Sequence, residues 1–194
     1  MKRRAIVLAG LIVGIAAAAG LWFAGVPRVS RPAAPGGPAS TTTSPGAERQ
    51  ISATLYFVSD DGLSLVTAKR DVRFGEAVAD QARHIVDAQL VQSPAPLVSA
   101  IPPGTTLRSV FVNERGDAFV DLSADVTAKH TGGALDELFT VYTIVNVLTE
   151  NLPAVKRVQI LVDGKEVDTL AGHVDLRHPL QKSLKWVKTE NEGS

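Results

Sequence analysis

IPPGTTLRSVFVNERGDAFVDLSADV, at residues 101–126, and LDELFTVYTIVNVLTENLPAVKRVQILVDGKEVDTLAGHVDL, at residues 135–176, decide how this chain folds. Pro102-Pro103-Gly104 has the chemistry of a tight turn, the prolines pre-setting φ and the glycine free to take a positive one. Leu107 to Val112 reads as a strand, Arg115-Gly116 as a hairpin tip and Ala118 to Leu122 as the returning strand. From about Ala134 to Asn151, apolar positions Leu135, Leu138, Phe139, Tyr142, Val145 and Leu148 recur at helical spacing. Val141, Ile144 and Val147 widen the stripe beyond one face, which predicts a helix covered on most sides. Pro153 ends it. Val155 to Val162 follows as a strand, Asp163-Gly164 as a hairpin turn and Glu166 to Leu170 as its partner strand.

Working outward, Thr54 to Val58 is dense in β-formers, Asp60-Asp61-Gly62 is a turn, and Leu63 to Phe74 reads as a second strand. Gly75 to Val91 carries Val78, Ala82, Ile85, Val86 and Leu90 on one helical stripe, broken by Ser93-Pro94-Ala95-Pro96. Interleaved strands and two helices predict a small α/β two-layer sandwich, a mixed sheet with both helices on one face. The domain is expected over residues 51–180, with a polar tail at 181–194 that frays apart from Trp186.

Charge and composition narrow the function. The chain has 194 residues, with 20 basic and 20 acidic side chains and no cysteine. Three of the basic residues, Lys2, Arg3 and Arg4, sit at the extreme N-terminus, and the remainder has a balance of −3. Without a basic surplus there is nothing to neutralise phosphates, and nucleic acid is not an expected partner. Absence of cysteine excludes disulfides, thiolate metal sites, cysteine nucleophiles and a lipid-bearing cysteine.

Ala5 to Val26 is an uncharged run of 22 residues. As a helix it would span about 33 Å, the depth of a bilayer core. Residues 1–26 therefore read as a single-pass membrane anchor, with Lys2, Arg3 and Arg4 favouring a cytoplasmic N-terminus. A cleaved signal peptide, cut after Ala17-Ala18-Ala19, is the competing reading. Either reading puts the rest of the chain outside the cytoplasm. Residues 27–50 are a Pro/Gly/Ser/Thr-rich linker that cannot bury a core.

The segments IPPGTTLRSV, AFVDLS, VYTIVNVLTENLPAVKRVQILVDGKEV and LAGHVDL resemble the sporulation and spore-germination (GerMN) domain family, over about Thr54 to Leu180. The resemblance implies a small α/β domain without catalytic activity, carried by bacterial envelope proteins held through a lipid or a membrane helix. It also implies kinship with domains that build rings in secretion-type assemblies, and a setting near peptidoglycan. The family supplies no catalytic residues to carry over. This chain departs from it in having one copy of the domain and no lipid-bearing cysteine.

The residues themselves offer few chemical sites. His173, Asp175 and His178 are three candidate ligands within six residues, but on a strand His178 would point away from the other two, and Arg177 adds opposing charge. Arg115-Gly116-Asp117 spells an adhesion tripeptide at a position where any hairpin needs a glycine. Asp121, Ser123 and Asp125 offer carboxylates and a hydroxyl without a base or a nucleophile elbow. Tyr142 and Asn146 are one turn apart, and a buried Asn146 is expected to hydrogen-bond backbone. No catalytic residue, metal or cofactor is assigned. The expected function is a membrane-tethered, extracytoplasmic, non-enzymatic interaction domain of the bacterial envelope. Its partner is another envelope protein or a second copy, met at a hairpin edge near Arg115, Arg157 or Lys165. Peptidoglycan binding is the alternative.

Overall fold

The computed structural model describes residues 49–91 and 95–188. The membrane-anchor run and nearly all of the linker lie outside them. Among the described residues no helix is long and apolar enough to cross a membrane.

Strands β1 (Gln50–Val58) and β2 (Leu65–Arg73) form an antiparallel hairpin. Helix α1 (Val78–Leu90) follows. Strands β3 (Leu107–Val112) and β4 (Asp117–Leu122) form a second antiparallel hairpin, with an irregularity between Leu107 and Ser109. A single turn, α2 (Asp125–Ala128), leads into the long helix α3 (Ala134–Asn151). That helix is the crossover that lets β5 (Arg157–Val162) lie parallel to β4. Two short strands, β6 (Lys165–Glu166) and β7 (Leu180–Gln181), both pair with β5.

The mixed α/β class matches the expectation, but the single sheet does not. The strands divide into the β1–β2 hairpin and a separate sheet ordered β3-β4-β5-β6, with β7 also on β5. Helix α3 touches β1 and β5, and α1 touches β2 and β3, so the helices have a sheet on either side. Burial along α3 records this: Phe139, Val141, Ile144, Val145, Val147 and Leu148 are all inaccessible, on every side of the helix. Leu135 and Leu138, members of the expected stripe, are only partly buried. Ala118, Val120, Leu122, Val158, Ile160 and Val162 form the sheet's buried apolar face. Its other face carries Phe111, Phe119, Asp117, Arg157 and Gln159, by the alternation of a strand.

The partner strand of β5 is much shorter than the sequence suggests. Asp163 and Gly164 both take positive φ, 49° and 75°, as a two-residue hairpin turn requires. The ladder nevertheless ends at Glu166 because the chain is pulled toward α3. There the Glu137 carboxylate accepts N–H groups from Leu170, Ala171 and His173 at 2.7–2.9 Å.

The outer edge of β1 is closed by helix side chains. Asn151 at the end of α3 accepts the Thr54 N–H and donates to its carbonyl, both at 2.8 Å. Gln89 at the end of α1 does the same for Tyr56, at 2.9 and 2.8 Å. Val58 completes the row by donating to the Val98 carbonyl. Each carboxamide presents an acceptor and donors much as a neighbouring strand would. At the C-terminal end, Trp186 and Lys188 pair with Leu65 of β2, and Asn146 holds the backbone of Ser183 from both sides. The segment after Gln181 is thus part of the packed body as far as Lys188.

Candidate functional site

The sequence singles out His173, Asp175 and His178, and the fold does not gather them. His173 turns its Nδ1 to the buried Glu137 carboxylate, 3.0 Å away. Asp175 is bound by its neighbour Arg177 through two side-chain contacts of 2.9 and 2.7 Å, which hold its carboxyl far below the usual range. Among the described residues no group of three or more potential ligands is placed to hold a metal ion.

Glu137 is the titratable group that sequence reading missed. It sits in the first turn of α3 with no exposed surface. Burial by itself would raise its pKa, but donation from Ala171, His173 and Leu170 backbone and from the His173 ring outweighs that, and the carboxyl lies below its ordinary value. Its chemistry is to clamp a loop. The signal was there as an acidic residue inside an apolar helical stripe, a place where a charge must have partners.

Asp121, Ser123 and Asp125 serve three separate ends. Asp121 is buried, accepting Arg108 Nε at 3.0 Å and the Gly164 N–H at 2.7 Å. Ser123 Oγ accepts the Thr106 N–H, and Asp125 pairs with Lys129 one helical turn on. Asp117 of the tripeptide is likewise internal. Arg157 reaches it at 2.7 Å and Asn113 at 3.1 Å, and both donors pull its carboxyl down. Gly116 takes φ 85°, and a Cβ there would lie 2.6 Å from the Ala154 carbonyl, so the glycine belongs to the hairpin's packing on the next loop. Asn146 is buried and holds backbone, as expected, and the backbone it holds is that of the C-terminal segment at Ser183.

The three residues marked for partner contact divide. Arg115 and Lys165 are exposed at hairpin turns. Arg157 is half-buried on β5, between β4 and β7, and its guanidinium neutralises Asp117. It is part of the architecture, so reversing its charge would strand a buried carboxylate instead of probing a surface.

Two features remain. An open groove of about 260 Å³ is bordered by Ile101-Pro102-Pro103, His130 and Thr140. Its polar groups are already coupled: Gly132 N–H donates to His130 Nδ1, His130 Nε2 stands 3.2 Å from the Thr140 hydroxyl, and that hydroxyl donates to the Ala100 carbonyl. The other feature is strand β3. It is the end strand of its sheet, and its Phe111 side chain is 62% exposed beside Phe119, with ring centroids 6.2 Å apart. Strand alternation put Phe111 on one face or the other, and only the helices' choice of the opposite face left it outside.

The order α1, β3, β4, α3, β5, with a hairpin laid on the helices, defines a small mixed α/β domain whose buried polar groups act as architecture. The chain belongs to the sporulation and spore germination (Germane) family, whose model matches residues 54–168. Its fold is similar to the tandem GerMN domains of the sporulation protein GerM from Bacillus subtilis. Identity there is 18%, over 74% of this chain and 50% of that one, with a TM-score of 0.57. The chain thus spans half the length of that tandem structure. The first GerMN domain of the same protein matches 70% of this chain and 98% of that one, with 18% identity and a TM-score of 0.52. A chain from Clostridium perfringens described as a candidate lipoprotein is 23% identical over 69% of this chain and 88% of that one, with a TM-score of 0.49. No curated protein matches the chain.

Proposed function

We propose that the chain is a membrane-tethered, extracytoplasmic interaction domain of the bacterial envelope with no catalysis of its own. The single observation that carries this is how its polar side chains are used. Glu137, Gln89, Asn146, Gln159 and Asp121 are buried and each bonds backbone of another segment. What stays outward is an end strand with an exposed aromatic ring, the kind of surface that adds a strand or packs on a partner. Tethering is supported by the uncharged run Ala5–Val26, which has the length of a membrane span. The linker at 27–50 would let the domain stand off the bilayer.

Peptidoglycan binding is the second reading, and the exposed Phe111 favours it, because sugar rings pack on open aromatic faces. Two measurements on the full chain in cells test the first reading. Alkaline carbonate extraction should leave it in the membrane fraction. A photo-crosslinker placed at Arg115 or Lys165 should capture an envelope protein. Release into the soluble fraction, or cleavage of a cell-wall substrate by the purified chain, would overturn it.

A further inference from the structure

The free edges of the three long end strands, β1, β2 and β3, are treated differently. That of β1 is filled by Gln89, Asn151 and Val98. Along β2, Leu65 is taken by the C-terminal segment, and the exposed side chains that follow include Lys69 and Asp71, charges that discourage a further strand. Strand β3 has neither device over its last four residues. Asn113 donates to Asp117 across the hairpin, so by alternation Ser109 and Phe111 face β4 with their backbone groups, and Val110 and Val112 turn theirs outward. Among the described residues nothing hydrogen-bonds those outward groups.

We infer that β3 pairs antiparallel with β3 of a second copy of this chain, about a two-fold axis at Phe111. This names the partner in the assembly reading and rests on it. The register follows from the strand. Outward groups must meet outward groups, and pairing Val110 with Val112 of the second copy, and the reverse, joins these residues to one another in hydrogen bonds. That register sets Phe111 directly opposite Phe111 of the second copy, on the sheet face away from the helices. These two are a non-hydrogen-bonded pair, the kind with the closer side chains. With Phe119 behind each, four rings would form one row across the joined sheets. The same register brings Arg108 and Glu114 of the second copy near one another at both ends, with the Arg108 guanidinium shared with Asp121 and Asp163 of its own chain. Glu114 is exposed and forms no ion pair within its own chain among the described residues. Self-complementary charge at the ends with an aromatic pair at the centre is what an isologous contact requires.

The absence of native cysteine makes the test direct. In membranes carrying the full chain, Phe111→Cys should form a disulfide-linked dimer under mild oxidation, because a residue on the axis meets itself within disulfide reach. Leu63→Cys controls for collision: Leu63 is 68% exposed, in the β1–β2 loop. Adding Glu114→Arg to Phe111→Cys should lower the dimer yield several-fold. Val110→Pro removes an outward N–H without touching the β4 ladder and should abolish the dimer. Thermal midpoints of the purified variants check that the fold persists, and Glu114→Arg serves where the proline does not fold. Cross-linking of Phe111→Cys no faster than Leu63→Cys, or yields indifferent to Glu114→Arg, would overturn the pairing. So would a monomeric chain whose co-sedimentation with purified peptidoglycan depends on Phe111. Membrane retention with capture of a foreign protein at Lys165 would then leave the assembly reading standing. A Phe111 dimer from a chain that carbonate releases would do the reverse.

Discussion

Strands β1 and β3 begin alike, as one member of an antiparallel hairpin with one edge unclaimed, and the molecule finishes them in opposite ways. Around β1, two helix-terminal carboxamides and the Val98 carbonyl take up the free edge, and Leu55, Tyr56 and Phe57 are buried. Among the described residues the edge of β3 has no such cover, and Phe111 stands in solvent. The contrast teaches that the polar residues inside α1 and α3 are there for structure. They stop a buried edge from carrying unpaired amides, which would cost more than the carboxamides lose by burial. The edge that lacks them is the one we propose for association.

The comparison is broken most severely from the core that both regions share. Ile144→Asp puts an unpaired carboxylate into a fully buried position on α3. It should cost several kcal/mol, of the order of a small domain's whole stability, and leave no cooperative melt. A melt close to wild type would mean that the helix faces are assigned wrongly.

Next, Gln89→Leu keeps volume but leaves the buried Tyr56 N–H and carbonyl without partners. A loss of about 2–5 kcal/mol is expected from two such groups, read from chemical denaturation of the purified chain. Asn151→Ala should cost less, since Asn151 is only partly buried. Equal and negligible losses from both would show that the β1 edge does not need closing.

A third test uses acid. The Glu137 carboxyl is depressed in the folded chain, so its contribution is complete above the ordinary glutamate value of about 4.5 and is lost as pH falls through the lower folded value. Asp117 acts in the same direction. The melting midpoint should therefore hold between pH 7 and 5 and decline below about 4.5. Glu137→Gln should lower it at neutral pH and flatten that decline; an unchanged acid limb would assign the pH dependence elsewhere.

The smallest effect belongs to the open side. Lys165→Glu and Arg115→Glu change exposed charges and should shift stability by less than about 0.5 kcal/mol. Arg157→Glu, on the same sheet, should be far more damaging because it strands Asp117. Parity among the three, measured by thermal melts, would dissolve the distinction between surface and architecture on this face.

Local chemistry determined much of this protein. Proline, glycine and the 3.6-residue period set α3 at Ala134–Asn151, and β3 at Leu107–Val112, as the sequence predicted. The Asp163-Gly164 turn was equally legible, because two adjacent positive φ values need those residue types. The family resemblance was carried by the same segments. Other features lay beyond reach because they join residues far apart in the chain. Thr54 meets Asn151, Tyr56 meets Gln89, and Glu137 meets His173. A carboxamide in a helix reads as an ordinary polar residue until its backbone partner is known, and a strand's alternation names two faces without saying which one the helices cover. The split into two sheets and the exposure of Phe111 followed from that choice, which apolar burial by the two helices made only in the folded chain, and the short β6 from the hold of Glu137 on the segment beyond it.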